Sequence, residues 1–203
     1  MVETGRISVI LAFAISVYVV FASVYGARSG KSDFVMSARN GVYAVFFLLL
    51  IATIALLHSL VNLDFSLKYV ALNTSTDLPV VYRFTSLWAG QAGSLLLWSL
   101  ILSIYSALVV LDTRSRSRLL MPYVIAVLAA ISVFFTFVVG FVESPFETLP
   151  MIPSEGRGLN PILQNAYMAI HPVTLYLGYG GVSVPFAFGM GALLSGQLGD
   201  DWI

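Results

Sequence analysis

Two histidines are the side chains in this sequence best suited to bind a transition metal, and no cysteine accompanies them. His58 lies in the apolar run IALLHSLVN, and His171 in AIHPVTLYLGYGG directly precedes Pro172. The lack of cysteine excludes disulfides, thiolate metal sites, covalent thioether attachment to this chain and thiol chemistry of its own. Redox or transfer chemistry here therefore requires a cofactor or another protein.

The two histidines have different interpretations. His171 is placed at the mouth of a long apolar run, with Pro172 at a helix start, where its missing N–H costs nothing. A neutral imidazole there is the best axial ligand for haem iron that this chain offers. The alternative is that His171 anchors a helix at the headgroup level. His58 is a functional candidate as a lone intramembrane histidine, but no pattern surrounds it, so it ranks below His171.

Composition places these residues in a membrane protein. Of the 203 residues 59% are hydrophobic and 10% charged, with a mean hydropathy of +0.92, whereas soluble domains are roughly 45–50% apolar and 25% charged. Ten basic and ten acidic residues cancel. The chain therefore carries no net field that would recruit nucleic acid, and nucleic-acid binding is not expected.

Five segments are long and apolar enough to cross a bilayer as helices, which needs about 20 residues each. We interpret the first as a retained helix, because VYGARSG is a poor cleavage site for a signal peptide. The sequence thus predicts an all-α integral membrane protein with a single membrane domain over residues 1–203. The spans are predicted at residues 7–25, 42–61, 94–111, 123–142 and 173–194.

The basic residues between the spans predict the orientation, because short cytoplasmic loops are enriched in them. Six of the ten lie in two connections, and they are Arg28, Lys31, Arg39, Arg114, Arg116 and Arg118. We expect that side to be cytoplasmic, with the amino terminus outside and the tail SGQLGDDWI in the cytoplasm. The two long loops, residues 62–93 and 143–172, would then lie on the outer face of the cytoplasmic (inner) membrane.

The first outer loop, which ends in VVYRFTSLWAGQAGSLLLW, combines aromatic residues with small ones. Gly90 and Gly93 permit a tight turn or close helix approach. Trp88 and Trp98 have the alternative interpretation of interfacial anchors, which aromatic residues often are. The pattern indicates an irregular packed element at the membrane surface.

The second outer loop is about 30 residues long, and its prolines and apolar residues indicate a functional element rather than disorder. ILQNAYMAI has the spacing of a short helix lying in the interface. Asn160 before Pro161 is typical of a helix start with proline in the first turn. We expect this loop to fold over the outer membrane face and lead to His171.

Two stretches carry a resemblance to a known family. LPVVYRFTSLWAGQAGSLLLWSL, followed at a distance by GRGLNPILQNAYMAIHPVTLYLGYGGVSVPFAFGMGALLSGQLGDDW, resembles the amino-terminal part of the cytochrome c maturation protein F (CcmF) family of membrane haem lyases. The likeness covers about two thirds of the chain. A weaker likeness extends to cytochrome c synthases of the CcsA type.

The resemblance implies a haem site. His171, in the AIHP motif with Pro172, matches the first of two outer-loop histidines that supply axial ligands to external haem. Tyr176, Gly178 and Tyr179 match the segment below that histidine, and Asn160 and Pro161 match the loop leading to it. The family's first outer signature falls on Arg83, Trp88, Gly90, Gly93 and Trp98.

The chain also departs from the family pattern. Its three tryptophans, Trp88, Trp98 and Trp202, do not form the family's tryptophan-rich segment with its WD-type motif. The partner histidine and the pair that holds a structural b-type haem are likewise unmatched, and His58 matches neither. The resemblance therefore implies half a site, with two explanations: an amino-terminal subunit that assembles with a second chain carrying these features, or a truncated piece.

The implied function is cytochrome c-type biogenesis. As a non-autonomous part of a haem lyase, the chain would bind haem b in transit and help transfer it to apocytochrome c. A haem chaperone of the CcmE type, thiol-reducing factors and the lipid bilayer are the implied partners. Two alternatives stay open, a non-haem scaffold and a transporter subunit; the latter is disfavoured because the spans hold almost no ionisable residues, although glycines in YLGYGGVSVPFAFGMG allow a bent fifth helix.

Overall fold

The computed structural model describes residues 1–112 and 119–197. The predicted inner basic residues Arg114, Arg116 and Arg118, together with Trp202, lie outside this part. Within it the fold is all-helical, with one isolated β-bridge. The elements are α1 Val2–Ser29, α2 Ser32–Val61, α3 Lys68–Asn73, α4 Val80–Thr85, a 3-10 turn Ser86–Trp88, α5 Gln91–Asp112, α6 Met121–Phe137 with a π turn Val138–Val142, a 3-10 turn Pro161–Leu163, and α7 Ala166–Ser195.

Five of the described helices are long and apolar enough to cross a membrane, which confirms the predicted number of spans. They extend further than predicted, and the largest difference lies between the first two. The polar stretch expected to connect them is helical except for Gly30 and Lys31. Gly30 ends α1 in the left-handed conformation, with φ 67°, that glycine adopts without strain. The turn is therefore two residues long.

The bundle is built around α1, α2, α5 and α6. The helix α1 packs along α2 and α6, α2 also packs on α5, and α7 packs on α6 and α5. Fully buried leucines on α2 and α5, among them Leu49, Leu56 and Leu96, form the main core. A second apolar cluster joins Phe188 of α7 to Val124 and Leu128 of α6. The seventh helix is thus attached to one side of the bundle.

The two predicted outer loops pack on each other at the end of the bundle, and we call residues 62–90 and 143–165 the loop layer. Backbone hydrogen bonds join them: the Leu149 N–H donates to the Ser66 carbonyl at 2.8 Å, and the Arg157 N–H to the Ala71 carbonyl at 2.8 Å. Lys68 Nζ adds an exposed ion pair to Glu147 at 2.8 Å. The loop layer is therefore a folded cover rather than two independent loops.

The predicted short interfacial helix over residues 162–170 is wrong as a separate element. Pro161–Leu163 forms a 3-10 turn, and residues 166–170 belong to α7, because Asn165 caps the helix there. The helix then continues through Pro172, which lies inside it rather than at its start. The missing Pro172 N–H consequently removes one intrahelical hydrogen bond, and it is not free of cost as expected.

Candidate functional site

His171 lies in the second turn of α7, with an exposed side chain at the loop-layer end of the bundle. An open depression surrounds it, lined also by Tyr167, Met168 and Ile170. Its carbonyl accepts a hydrogen bond from Thr174 Oγ1 at 2.8 Å. Within residues 1–112 and 119–197, no side chain hydrogen-bonds its imidazole. The ring is therefore available to a ligand that approaches from outside.

The start of α7 is held by caps and by the loop layer. Asn165 Oδ1 accepts the Tyr167 N–H at 2.9 Å, and Tyr82 Oη donates to the Gln164 carbonyl at 3.0 Å. In the preceding turn Asn160 Oδ1 accepts the Ile162 N–H at 3.1 Å with Pro161 at the first position. This confirms Asn160 as a cap with proline at the next position, although the element that it starts is a 3-10 turn that precedes α7.

An aromatic cluster lies one to two turns along α7 from His171, where α7 meets α5 and α6. Trp98 of α5 stacks on Tyr176 with ring centroids 5.4 Å apart and an interplanar angle of 24°. It also contacts Tyr179 at 6.1 Å and Phe135 of α6 at 4.9 Å. Tyr176 is five residues after His171, about 7.5 Å along the helix axis. The cluster is thus one of the contacts that pack α7 on α5 and α6.

Arg83 is held by three carbonyl oxygens of the surrounding chain. Its guanidinium donates from Nε to Leu78 at 2.7 Å, from Nη2 to Thr76 at 2.8 Å and from Nη1 to Val61 at 3.4 Å. A planar guanidinium with five N–H donors suits this arrangement. Arg83 thereby ties the loop layer to the end of α2.

Trp88 is half-buried, and its ring makes an edge-on contact with Phe84 at 6.2 Å. Its carbonyl accepts a hydrogen bond from Ser94 Oγ at 3.0 Å. Trp88 therefore forms part of the junction between the loop layer and the start of α5, beyond any role as an interfacial anchor.

Gly90 and Gly93 make room for Tyr69, a residue that the sequence did not single out. Tyr69 Oη donates to the Ser86 or Leu87 carbonyl at 3.0 Å and accepts the Gly90 N–H at 3.0 Å. A Cβ on Gly93 would lie 2.0 Å from the Leu87 carbonyl oxygen and 2.3 Å from Tyr69 Oη. Burial raises the pKa of Tyr69, so the phenol stays protonated as a donor. The two glycines thus have a packing role.

One face of α7 has no neighbouring helix within the described part of the chain. Residues on it recur at helical spacing, so that they share a side of the helix. A Cβ placed on Gly178 or Gly189 would meet nothing within 4 Å of the described residues. We call this the open face, and its residues are His171, Leu175, Gly178, Val182, Phe186, Gly189 and Leu193.

His58 is exposed on α2, three residues before that helix ends at Val61. Its carbonyl accepts hydrogen bonds from the Asn62 N–H at 3.1 Å and from Asn62 Nδ2 at 2.8 Å. Its helix packs on α1 and α5, whereas the helix of His171 packs on α5 and α6. The two histidines are therefore on helices with different surroundings.

The donor set fits a metal held mainly by a macrocycle. No group of three or more His, Cys, Asp or Glu able to hold a metal ion occurs in residues 1–112 and 119–197. A bare ion such as zinc requires three or four protein ligands, whereas a haem iron needs only one or two axial ones. A single exposed imidazole, as His171 offers, suits the second requirement.

Comparisons with known proteins extend the likeness to nearly the whole chain. The family model described as cytochrome C assembly protein matches residues 88–198. Among curated relatives, the cytochrome c-type biogenesis protein CcmF of Haemophilus influenzae is 36% identical over 98% of this chain. The corresponding protein ccl1 of Rhodobacter capsulatus is 38% identical over 99%, and CcmF of Escherichia coli is 37% identical over 98%.

A solved structure, described as cytochrome c heme lyase CcmF, matches with a TM-score of 0.86 and 35% identity over 99% of this chain. The chain spans about 31% of the length of that structure's chain and of these curated relatives. The match thus covers the bundle, the loop layer and α7 together. The chain belongs to the cytochrome c assembly protein family, and it is similar to the CcmF proteins over nearly its whole length.

Proposed function

We propose that this chain is part of a membrane haem lyase in cytochrome c-type biogenesis, and that His171 binds the iron of the haem being delivered. The observation that carries the proposal is the exposed His171 imidazole in an open depression at the loop-layer end of α7. The similarity to CcmF proteins supports it over the same residues. The haem is cargo, received from one protein and passed to another.

The chemical contribution of this chain is ligation and orientation. In thioether formation each cysteine S–H of apocytochrome c adds across a haem vinyl group, with sulfur bonding to one carbon and hydrogen to the other, so no net electrons are consumed. Holding the iron through His171 fixes the macrocycle against the loop layer, and such positioning lowers the entropic part of the barrier. No side chain of this protein acts as a nucleophile in the scheme.

The site is completed by a partner segment that packs on the open face of α7. This segment belongs either to a second polypeptide or to additional residues of the same polypeptide. His171 supplies one axial ligand, and a partner histidine would supply the other. Gly178 and Gly189 leave room for the backbone of a neighbouring helix to approach, which is how membrane helices commonly associate. The partner is expected to carry further spans, histidines and a tryptophan-rich WD-type motif.

The location follows from the positive-inside rule. With the link between α1 and α2 in the cytoplasm, the loop layer and His171 lie on the outer face of the inner membrane. There the chain would meet a haem chaperone of the CcmE type, apocytochrome c with its reduced CXXCH motif, and the factors that keep those thiols reduced.

A spectroscopic experiment tests the proposal. The protein is purified with and without the partner chain, sought as a neighbouring reading frame with apolar spans and a WD motif, and the haem absorption spectrum is recorded. Haem that binds only with the partner supports a shared site. No haem in either preparation would instead favour a scaffold, and a deletion strain that still assembles covalent cytochromes c normally would refute the proposal.

A further inference from the structure

Four serines lie together in the interior of the bundle, near the midpoints of three spans. Ser16 belongs to α1, Ser103 and Ser106 to α5, and Ser132 to α6. Their exposed fractions are 1%, 1%, 4% and 6%. Hydroxyl groups at this depth have no access to bulk water, so each must find its hydrogen bonds inside the protein.

Three of the four hydroxyls use their protons within their own helix. Ser103 Oγ donates to the Leu100 carbonyl at 2.7 Å, Ser106 Oγ to Leu102 at 2.9 Å and Ser132 Oγ to Leu128 at 3.1 Å. Each of these oxygens keeps a lone pair that can accept another hydrogen bond. The Ser16 Oγ differs, because it has no hydrogen-bond partner among the described residues.

The four serines line one small cavity. Its volume is about 10 Å³, and the remaining wall consists of Val19, Val42, Val45 and Ala129. A cavity begins to hold one water at about 10–15 Å³, provided that two to four polar partners face it. The cavity therefore has the size for one water and the polar groups that would retain it.

We propose that one water molecule occupies this cavity and bridges α1, α5 and α6 at the middle of the membrane. The water accepts the Ser16 hydroxyl proton and donates to the Ser132 oxygen of α6 and to the oxygen of either Ser103 or Ser106 of α5. This arrangement gives the Ser16 hydroxyl an acceptor and uses both protons of the water. The described hydroxyls of Ser103, Ser106 and Ser132 donate only within their own helices, so the water would link three helices at this depth. The proposal is independent of the haem site.

Ser23 provides a matched control on the same helix. Its Oγ is also buried and without a hydrogen-bond partner in the described part of the chain, but it does not line the cavity. Removing an unpaired buried hydroxyl is neutral or stabilising, whereas removing a hydroxyl that binds a water leaves that water short of a partner. The changes in stability caused by Ser16→Ala and Ser23→Ala should therefore differ, with a loss only for Ser16→Ala.

The test uses the full chain in its assembled complex in lipid nanodiscs. A high-resolution map should show a density peak within hydrogen-bond distance of Ser16 Oγ, and thermal unfolding should be measured for both alanine variants. We expect Ser16→Ala to lower the unfolding midpoint by about 2–4 °C, and Ser23→Ala to leave it unchanged or raise it. An empty cavity in a map that resolves other ordered waters, or an equal response of the two variants, would overturn the proposal. If Ser16→Ala does not assemble, the wild-type map alone decides.

Discussion

Two helices of this protein, α2 and α7, have the same length of 30 residues, and each carries one exposed histidine. Their surroundings differ. In an apolar window of 18 residues, 44% of the residues of α2 are buried, whereas only 28% of those of α7 are. Yet α7 has the lowest mean hydropathy of the five described spans. The helix with the most exposed surface is thus the one least suited to lipid.

The exposed residues explain the contrast. On α2 they include Phe47, Ile51 and Ile54, which lipid tails solvate well. On α7 the open face includes His171 and two glycines, Gly178 and Gly189. The small size of the glycines is useful only if another helix comes close. Under the proposed function, exposure on α2 corresponds to contact with lipid, and exposure on α7 corresponds to contact with a partner and with haem.

The largest difference between α7 and α2 is expected when each histidine is replaced by alanine in a separate variant. For His171→Ala we expect a large fall in cytochrome c yield. Loss of a group that only supports a metal ligand costs about 10–100-fold in metal affinity or activity, and loss of the ligand itself should cost more. The amount of His171→Ala protein in the membrane should stay unchanged, because the described residues make no hydrogen bond to the imidazole that is removed. His58→Ala should keep near-normal yield. Membrane level, haem spectrum and holocytochrome yield are measured in the assembled complex.

Added imidazole should restore part of the activity of His171→Ala, since the lost ligand is the imidazole itself, and His171→Met should retain some. Pro172→Ala should be milder, because Pro172 offers no ligand atom. Wild-type yield from His171→Ala together with lost yield from His58→Ala would reverse the assignment.

The second prediction concerns the loop layer that supports α7. Gly93→Ala should destabilise the protein by about 1–3 kcal/mol, the usual cost of overpacking, because the new Cβ meets the Leu87 carbonyl and Tyr69 Oη. Thermal unfolding and protease cleavage of the loop layer would report it. Gly178→Ala is the control, since its Cβ meets nothing among the described residues and alanine favours the helix. Equal destabilisation by both changes would contradict this account.

The third prediction separates lipid-facing from protein-facing exposure. Gly178→Phe should weaken association with the partner chain by about tenfold or more, while the chain itself stays inserted. Ile54→Phe places the same side chain on the exposed face of α2, and association should be unaffected. Copurification of the partner with each variant is the measurement, and the idea fails if the two variants associate equally well.

The smallest expected effect is a loosening of the loop layer in acid. Hydrogen bonds from the Thr76 hydroxyl, the Thr76 N–H and the Gly156 N–H lower the pKa of Glu155 from 4.5. Because the pKa of Glu155 is lowered in the folded protein, the ionised carboxylate contributes its full stabilisation above about pH 4.5. This stabilisation is lost as the pH falls through the folded-state pKa. Amide exchange at Arg157 and Gly158 should rise modestly there, and Glu155→Gln should remove the pH dependence without abolishing the fold. A pH response that persists in Glu155→Gln would assign the effect to another carboxylate.

Much of the fold was predictable, because bilayer thickness sets the length of each apolar segment. The helical ends were not, since hydropathy reports contact with lipid and α1 and α2 continue as helices through a polar stretch. Pro172 misled the prediction for α7: proline is typical of a helix start, but here Asn165 caps the helix earlier. An N-cap asparagine before Ala166 was the signal that could have revealed it.

His171 was expected beside the start of the fifth span, and it lies in the second turn of α7, at the loop-layer end of the bundle. Its role as a haem ligand stays a prediction. Tyr69 was missed, because Gly90 and Gly93 indicate a close approach but do not name the residue that approaches. The stacking of Trp98 on Tyr176 depends on how α5 and α7 are rotated against each other, and this information is distributed over both helices.

The two-residue link at Gly30 and Lys31 has a consequence for how the protein is made. Helices joined so tightly cannot leave the translocon one at a time and find each other later. We expect α1 and α2 to enter the bilayer together as a hairpin, with Arg28, Lys31 and Arg39 remaining on the cytoplasmic side. The first pair of helices is then packed before α5 is synthesised.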